Sequence, residues 1–173
     1  MVTHNALLKL GSSTYLEVIA INPDLQKPDR PRWFSLDKLS ATEKPKLLTW
    51  VAFTNDIKQA TENSSLTFGN IETMNRADLN WLITIPADGG LPYDGIAPSL
   101  IQWSNELHPA SKLSDVGCLL ASIEGFHPSA KTINDALNSI GFNGNFSVTQ
   151  IGESENPHLI AYVQTPNGIR KFD

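Results

Sequence analysis

Apolar and polar positions alternate along the opening of the chain. Tyr15, Glu17, Ile19 and Ile21 fall on one face of a strand, and Leu16, Val18 and Ala20 on the other. Both faces are largely apolar, which predicts a strand covered on both sides. Residues 5–10 form its hairpin partner across Gly11-Ser12-Ser13. A longer pattern then occurs twice. "LLTWVAFTND" (47–56) and "LLASIEGFHPS" (119–129) each read as a strand running into a helix start. After the second, Ser129 is a plausible N-cap, and Ile133, Leu137 and Ile140 make an apolar stripe with Ala136 beside it. Gly141 is the helix stop. Three strands are predicted beyond it, over 145–151, 158–164 and 168–172, the last two joined at Thr165-Pro166-Asn167-Gly168. The first copy predicts a helix near 56–63 and strands near 66–72, 78–86 and 98–103.

Each copy is therefore strand, helix, three strands, a βαβββ module. The opening hairpin reads as the last two strands of a further, truncated module. The predicted organisation is a partial module over 1–22, a connecting segment over 23–45, a module forming a cup over 46–111, and an additional module over 112–173. The connection is punctuated by Pro23, Pro28, Pro31 and Pro45, and is expected to pack Trp33 and Phe34 against the body. The fold class is α+β, with curved, mostly antiparallel sheets whose open faces need a neighbour.

Composition narrows the function classes. At 173 residues the chain is long enough for a real core. A net charge of -5 without a Lys/Arg cluster argues against a nucleic-acid or anionic-membrane partner. No apolar run approaches the ~20 residues of a membrane span. Cys118 is the only cysteine, which excludes an internal disulfide and fits a reducing cytoplasm. There is no nucleophile motif, phosphate-binding glycine loop or Cys-x-x-Cys.

"THNALLKLGSSTYLEVIAINPD", the following "RPRWFSLD" and the later "APSLIQWSNELHP" resemble the glyoxalase-like domain family of the vicinal oxygen chelate superfamily. The resemblance covers most of residues 3–128 and implies paired βαβββ modules. It also implies that relatives begin with a strand carrying a histidine, then a helix and a further strand, before the T-x-N-A-L-L-x-L-G run. On that reading Met1 is an internal methionine of a longer frame, or the chain is a natural short form.

In metal-using relatives, His, Gln or Glu side chains on the first and last strands hold a divalent cation with positions open to substrate oxygens. By resemblance Glu17 sits where such a ligand would sit, while the first-strand histidine has no counterpart. An acid among Tyr15, Ile19 and Ile21 needs a partner or solvent, so Glu17 is a metal ligand, a pocket-lining acid or an ordinary hydrogen-bonded carboxylate. Asn5 belongs to the same hairpin. Gln102 lies on the corresponding last strand of the next module, where it would meet a substrate or satisfy an edge carbonyl. Trp50, Trp81 and Trp103 are strand aromatics that build either core or an apolar wall. His108 precedes a proline and either lines the cup or serves a turn. Arg76 is the cation close to these strands, able to hold a carboxylate or to sit in a surface turn. No cofactor is expected in this chain, although a divalent metal is implied for relatives.

Three readings follow: a metal-assisted lyase, isomerase or dioxygenase of unknown substrate; a metal-free small-molecule binding protein; and a remnant that keeps the fold without activity. Exposed strand edges left by a missing strand and helix predict a homodimer.

Overall fold

The computed structural model describes residues 1–40, 42, 44–104 and 108–173. The chain opens with two antiparallel strands, β1 (Thr3–Lys9) and β2 (Tyr15–Ile21). Their register sets Leu7 opposite Glu17 and Lys9 opposite Tyr15, and they form a two-stranded sheet of their own. Gly11 takes φ 151° where the chain reverses.

The described residues of the connecting segment run along the body and include a short 3-10 turn, Leu36–Lys38. Trp33 and Leu36 are buried, and Trp33 stacks on Phe34 at 5.3 Å between ring centres. The segment is pinned at Asp37, whose carboxylate accepts from the Arg32 backbone N–H at 2.8 Å and from its guanidinium at 2.5 Å. Both bonds hold the Asp37 carboxyl below its ordinary pKa.

The first full unit comprises β3 (Val51–Phe53), α1 (Ile57–Asn63), β4 (Asn70–Arg76), β5 (Leu79–Ile85) and β6 (Ser99–Trp103). Asp56 caps α1 by accepting from the Gln59 amide at 3.0 Å. The strand expected near 66–72 begins instead at Asn70. Gly69 has φ 103°, and its place against the Ile85 carbonyl leaves no room for a Cβ, so regular pairing starts after it. Leu66 and Phe68, read as strand residues, are buried in the approach to the strand.

The second unit comprises β7 (Leu119–His127), α2 (Ala130–Ser139), β8 (Phe146–Gln150), β9 (His158–Thr165) and β10 (Gly168–Phe172). Helix α2 follows Ser129, but the Ser129 side chain makes no cap bond; its amide instead donates to His127 Nδ1 at 2.8 Å. Gly141 stands at φ 69° just past the helix, in the conformation a helix stop requires.

The element order thus repeats, but the pairing does not. The first sheet runs β3-β6-β5-β4 and the second β10-β9-β7-β8. In the first unit the last strand joins the first in parallel; in the second the last strand pairs antiparallel with β9, and β7 takes β8 as its parallel neighbour.

Three apolar clusters join these parts. Trp81, Ile83, Ile85 and Ile101 form one face of the first sheet and pack against Trp33 and Leu36, with Met1 and Ile19 reaching in from the hairpin side. The opposite face, with Ala52, Phe68 and Leu100, packs on Ile57 and Ala60 of α1. Ile133, Ala136 and Leu137 of α2 join Ile96, Ala97 and Leu159, with Trp50, Phe142 and Phe146 alongside.

Candidate functional site

The inward face of the hairpin carries Asn5 from β1 and Tyr15, Glu17 and Ile19 from β2, because side chains alternate and these positions share one parity in the register. The sheet opposite presents Met74 and Arg76 of β4, Trp81 of β5 and Trp103 of β6 on its matching face; Met74 pairs across Trp81, and Trp81 across Trp103. Six of the residues predicted from sequence come to this hairpin–sheet junction: Asn5, Glu17, Arg76, Trp81, Trp103 and His108.

Asn5 donates its amide to the Glu17 carboxylate at 2.6 Å, diagonally across the hairpin. That bond answers the cost of setting an acid beside apolar neighbours. Glu17 is half-buried, and the outward positions Val18 and Ala20 are exposed. Arg76 extends toward the N-terminal end of β1, with Nη2 3.4 Å from the Thr3 hydroxyl and 3.5 Å from its carbonyl.

A row of rings connects the two layers. Tyr15 lies 5.6 Å from His108, His108 lies 5.7 Å from Trp103 at 78°, and Trp103 lies 5.4 Å from Trp81. These are the tilted and edge-on arrangements that aromatic quadrupoles favour. Burial, followed by the nearby Glu17 charge, pushes the Tyr15 phenol up to about 12, with Arg76 opposing. Tyr15 is therefore a neutral hydroxyl at physiological pH.

His108 caps the 3-10 turn Pro109–Lys112 by accepting from the Ala110 amide at Nδ1, 3.2 Å. An accepting Nδ1 places the proton of the neutral ring on Nε2. Desolvation lowers its pKa, so the neutral form prevails. Of the two roles open to His108 in the sequence, the turn is the one seen, and its ring also joins the aromatic row.

Gln102 and Trp50 are placed elsewhere. Gln102 points to the helix side of the first sheet, where its carbonyl accepts from the Ile57 amide at 2.9 Å. Trp50 packs on Phe142 and Phe146 and donates its indole N–H to the Ile96 carbonyl at 2.9 Å. One member of the junction, Tyr15, was legible only as a strand residue. The parity that places Glu17 inward also places Tyr15 there, and the residue after Gln102 necessarily faces the other way.

A divalent cation fits this donor set poorly. Among the described residues no group of three His, Cys, Asp or Glu side chains converges. Glu17 already accepts from Asn5, and His108 has one nitrogen engaged by backbone. The His127–Asp94 pair, 3.3 Å apart, is likewise closed on one side by the Ser129 amide.

The glyoxalase-like domain family matches residues 1–141, from the hairpin through the end of α2. The chain belongs to the glyoxalase-like domain family. Its fold is α+β with mostly antiparallel sheets and few helices, and it stands within the vicinal oxygen chelate superfamily. No curated protein and no solved structure matches the chain. In this glyoxalase-like protein the candidate site lies wholly inside the matched span, whereas β8, β9 and β10 lie beyond it. Among the described residues no helix is long and apolar enough to cross a membrane.

Proposed function

We propose that this glyoxalase-like protein binds a small organic molecule at the hairpin–sheet junction without a resident metal. The observation that carries this reading is the row Tyr15–His108–Trp103–Trp81, with Arg76 and Glu17 contributing opposite charges beside it. Apolar rings with a few fixed polar groups suit a small-molecule site. Arg76 supplies a planar cation suited to a carboxylate, and Tyr15 a hydroxyl that stays protonated.

The test is a thermal-shift and calorimetric comparison of benzoate with its neutral analogue benzamide, each with and without EDTA. Benzoate is expected to raise the unfolding temperature, by roughly 2.7 kcal/mol of stabilisation at a hundredfold excess over Kd, and EDTA to leave that unchanged. Arg76→Ala is expected to weaken benzoate at least about tenfold and to leave benzamide alone. Equal binding of both ligands to the wild type, or loss on chelation, would overturn the reading.

Family membership and the inward Glu17 favour a second reading, a metal-assisted lyase, isomerase or dioxygenase. It requires ligands beyond those the described residues bring together. Stoichiometric divalent metal in the purified protein, lost in Glu17→Gln, would establish it in place of the first.

A further inference from the structure

Residues 32–39 lie on the same sheet face as the hairpin–sheet junction. Trp33 and Leu36 pack with Ile83, Ile85 and Ile101, and the same cluster takes in Trp81 and Trp103 of the aromatic row. The segment closes at a cost. Arg32 Nε and Trp33 Nε1 each expose less than 1 Å² and have no hydrogen-bond partner among the described residues. A buried donor left unpaired loses its bond to water and gains none in return. The next two residues stand in the left-handed region, Phe34 at φ 55° and Ser35 at φ 52°. For a bulky residue such a φ is an outlier, and the Ser35 side chain makes no cap bond that would offset it. Unpaired buried donors and left-handed backbone thus fall in four consecutive residues, and strain gathered in this way marks ligand clamps and switch segments.

The segment is bonded mostly to itself. Asp37 holds Arg32 by two bonds, the Leu36 amide donates to the Trp33 carbonyl at 3.2 Å, and the Lys38 amide donates to the Ser35 carbonyl at 2.9 Å. Among the described residues, one hydrogen bond leaves 32–39 for the body, from the Ser35 amide to the Gly89 carbonyl at 2.8 Å. Gly89 also forms the seat. It stands at φ 67°, and a Cβ there would lie 2.1 Å from the Arg32 carbonyl oxygen.

We propose that residues 32–39 are a plug that peels from the sheet face, and that the ligand held at the junction extends over Ile83, Ile85 and Ile101 in its place. The extended site rests on the reading of the junction given above; the opening of the plug does not. Peeling gives both orphaned donors to water and returns Phe34 and Ser35 to ordinary backbone. That offsets part of the cost of uncovering Trp33 and Leu36. The ligand class is an aromatic carboxylate with an apolar tail. The carboxylate meets Arg76, and the tail takes the apolar face that Trp33 and Leu36 leave.

Hydrogen exchange of the ligand-free protein tests the plug, with the Trp33 indole signal assigned by Trp33→Phe. The Trp33 indole and the Ser35 amide are expected to share one opening constant. It should be at least about a hundredfold larger than that of the Leu100 amide, which donates to the Thr84 hydroxyl inside the sheet. Ser35→Gly removes a left-handed penalty and should lower the constant at least about fivefold. Gly89→Ala crowds the seat and should raise it. Calorimetry with benzoate and 4-butylbenzoate tests the extended site. The butyl compound is expected to bind the wild type at least about tenfold tighter than benzoate. Ser35→Gly should weaken the butyl compound at least about fivefold and leave benzoate unchanged. Failure of both compounds to bind would overturn the junction reading and the extended site with it, while the exchange data alone uphold or overturn the plug. The proposal is overturned if Trp33, Ser35 and Leu100 open together, or if 4-butylbenzoate binds Ser35→Gly as tightly as it binds the wild type.

Discussion

The side-chain carbonyl of Gln102 accepts the backbone amide of Ile57 at 2.9 Å, tying the last strand of the first sheet to the opening turn of α1. Ile57 is fully buried, so its amide has no access to water as an alternative partner. Gln102→Ala should therefore cost about 1–2 kcal/mol, seen as a fall in unfolding temperature of roughly 2–4 °C per kcal/mol. Ligand binding at the hairpin–sheet junction should not change, because Gln102 and Trp103 face opposite sides of the same strand. Chemical denaturation alongside benzoate titration checks both halves. A binding loss without a stability loss would return Gln102 to the site.

Tyr15 predicts an alkaline limit to stability. Its folded pKa of about 12 lies above the ordinary 10.0. Once the pH passes 10.0 the unfolded chain gives up the phenolic proton while the native chain retains it. The Tyr15 contribution is thus complete below 10.0 and declines as the pH rises toward about 12. Urea unfolding across that window should show a steeper loss for the wild type than for Tyr15→Phe. Parallel slopes would place the phenol in water.

His108 predicts the opposite sign on the acid side. Its folded pKa lies below the ordinary 6.5 because of desolvation, so the unfolded chain takes up a proton first as the pH falls. The stability it contributes is present above 6.5 and is lost on acidification below that value. Protonation at Nδ1 would also break the bond from Ala110. His108→Asn retains a capping acceptor but no titratable ring. It should reduce the acid-side loss while leaving neutral-pH stability close to that of the wild type, as measured by denaturation at stepped pH and by imidazole chemical shifts.

What the sequence made legible follows the range of the physics. Helix α2 could be read from Ile133, Leu137 and Ile140 because its apolar period is local, and the turn before β10 because Pro166 fixes its own φ and Gly168 admits the positive φ of 90° found there. Alternation put Tyr15, Glu17 and Ile19 on one face of β2, but with both faces largely apolar it predicted cover on both sides, whereas Val18 and Ala20 on the other face are exposed. Alternation divides Gln102 from Trp103, yet it does not tell which face receives the helix, and that choice sends Gln102 to Ile57. Trp50 was equally ambiguous, since its partners Phe142 and Phe146 come from the other unit. Nor could element order distinguish the two sheets: β6 settles beside β3, whereas β10 settles beside β9. Ring contacts such as Tyr15 with His108 join residues far apart in the chain and carry no local signal.

The parallel pairing of β3 with β6 has a consequence for biosynthesis. Val51 meets Ser99, and among the described residues β3 has no other strand neighbour. A ribosome adding roughly 5–20 residues per second therefore completes β3, then a helix and two more strands, before the matching segment emerges. For ~2–10 s on that clock, Ile57 and Ala60 of α1 await Leu100, which closes their side of the sheet. Nascent chains halted between β5 and β6 should be the ones that holdase chaperones retain.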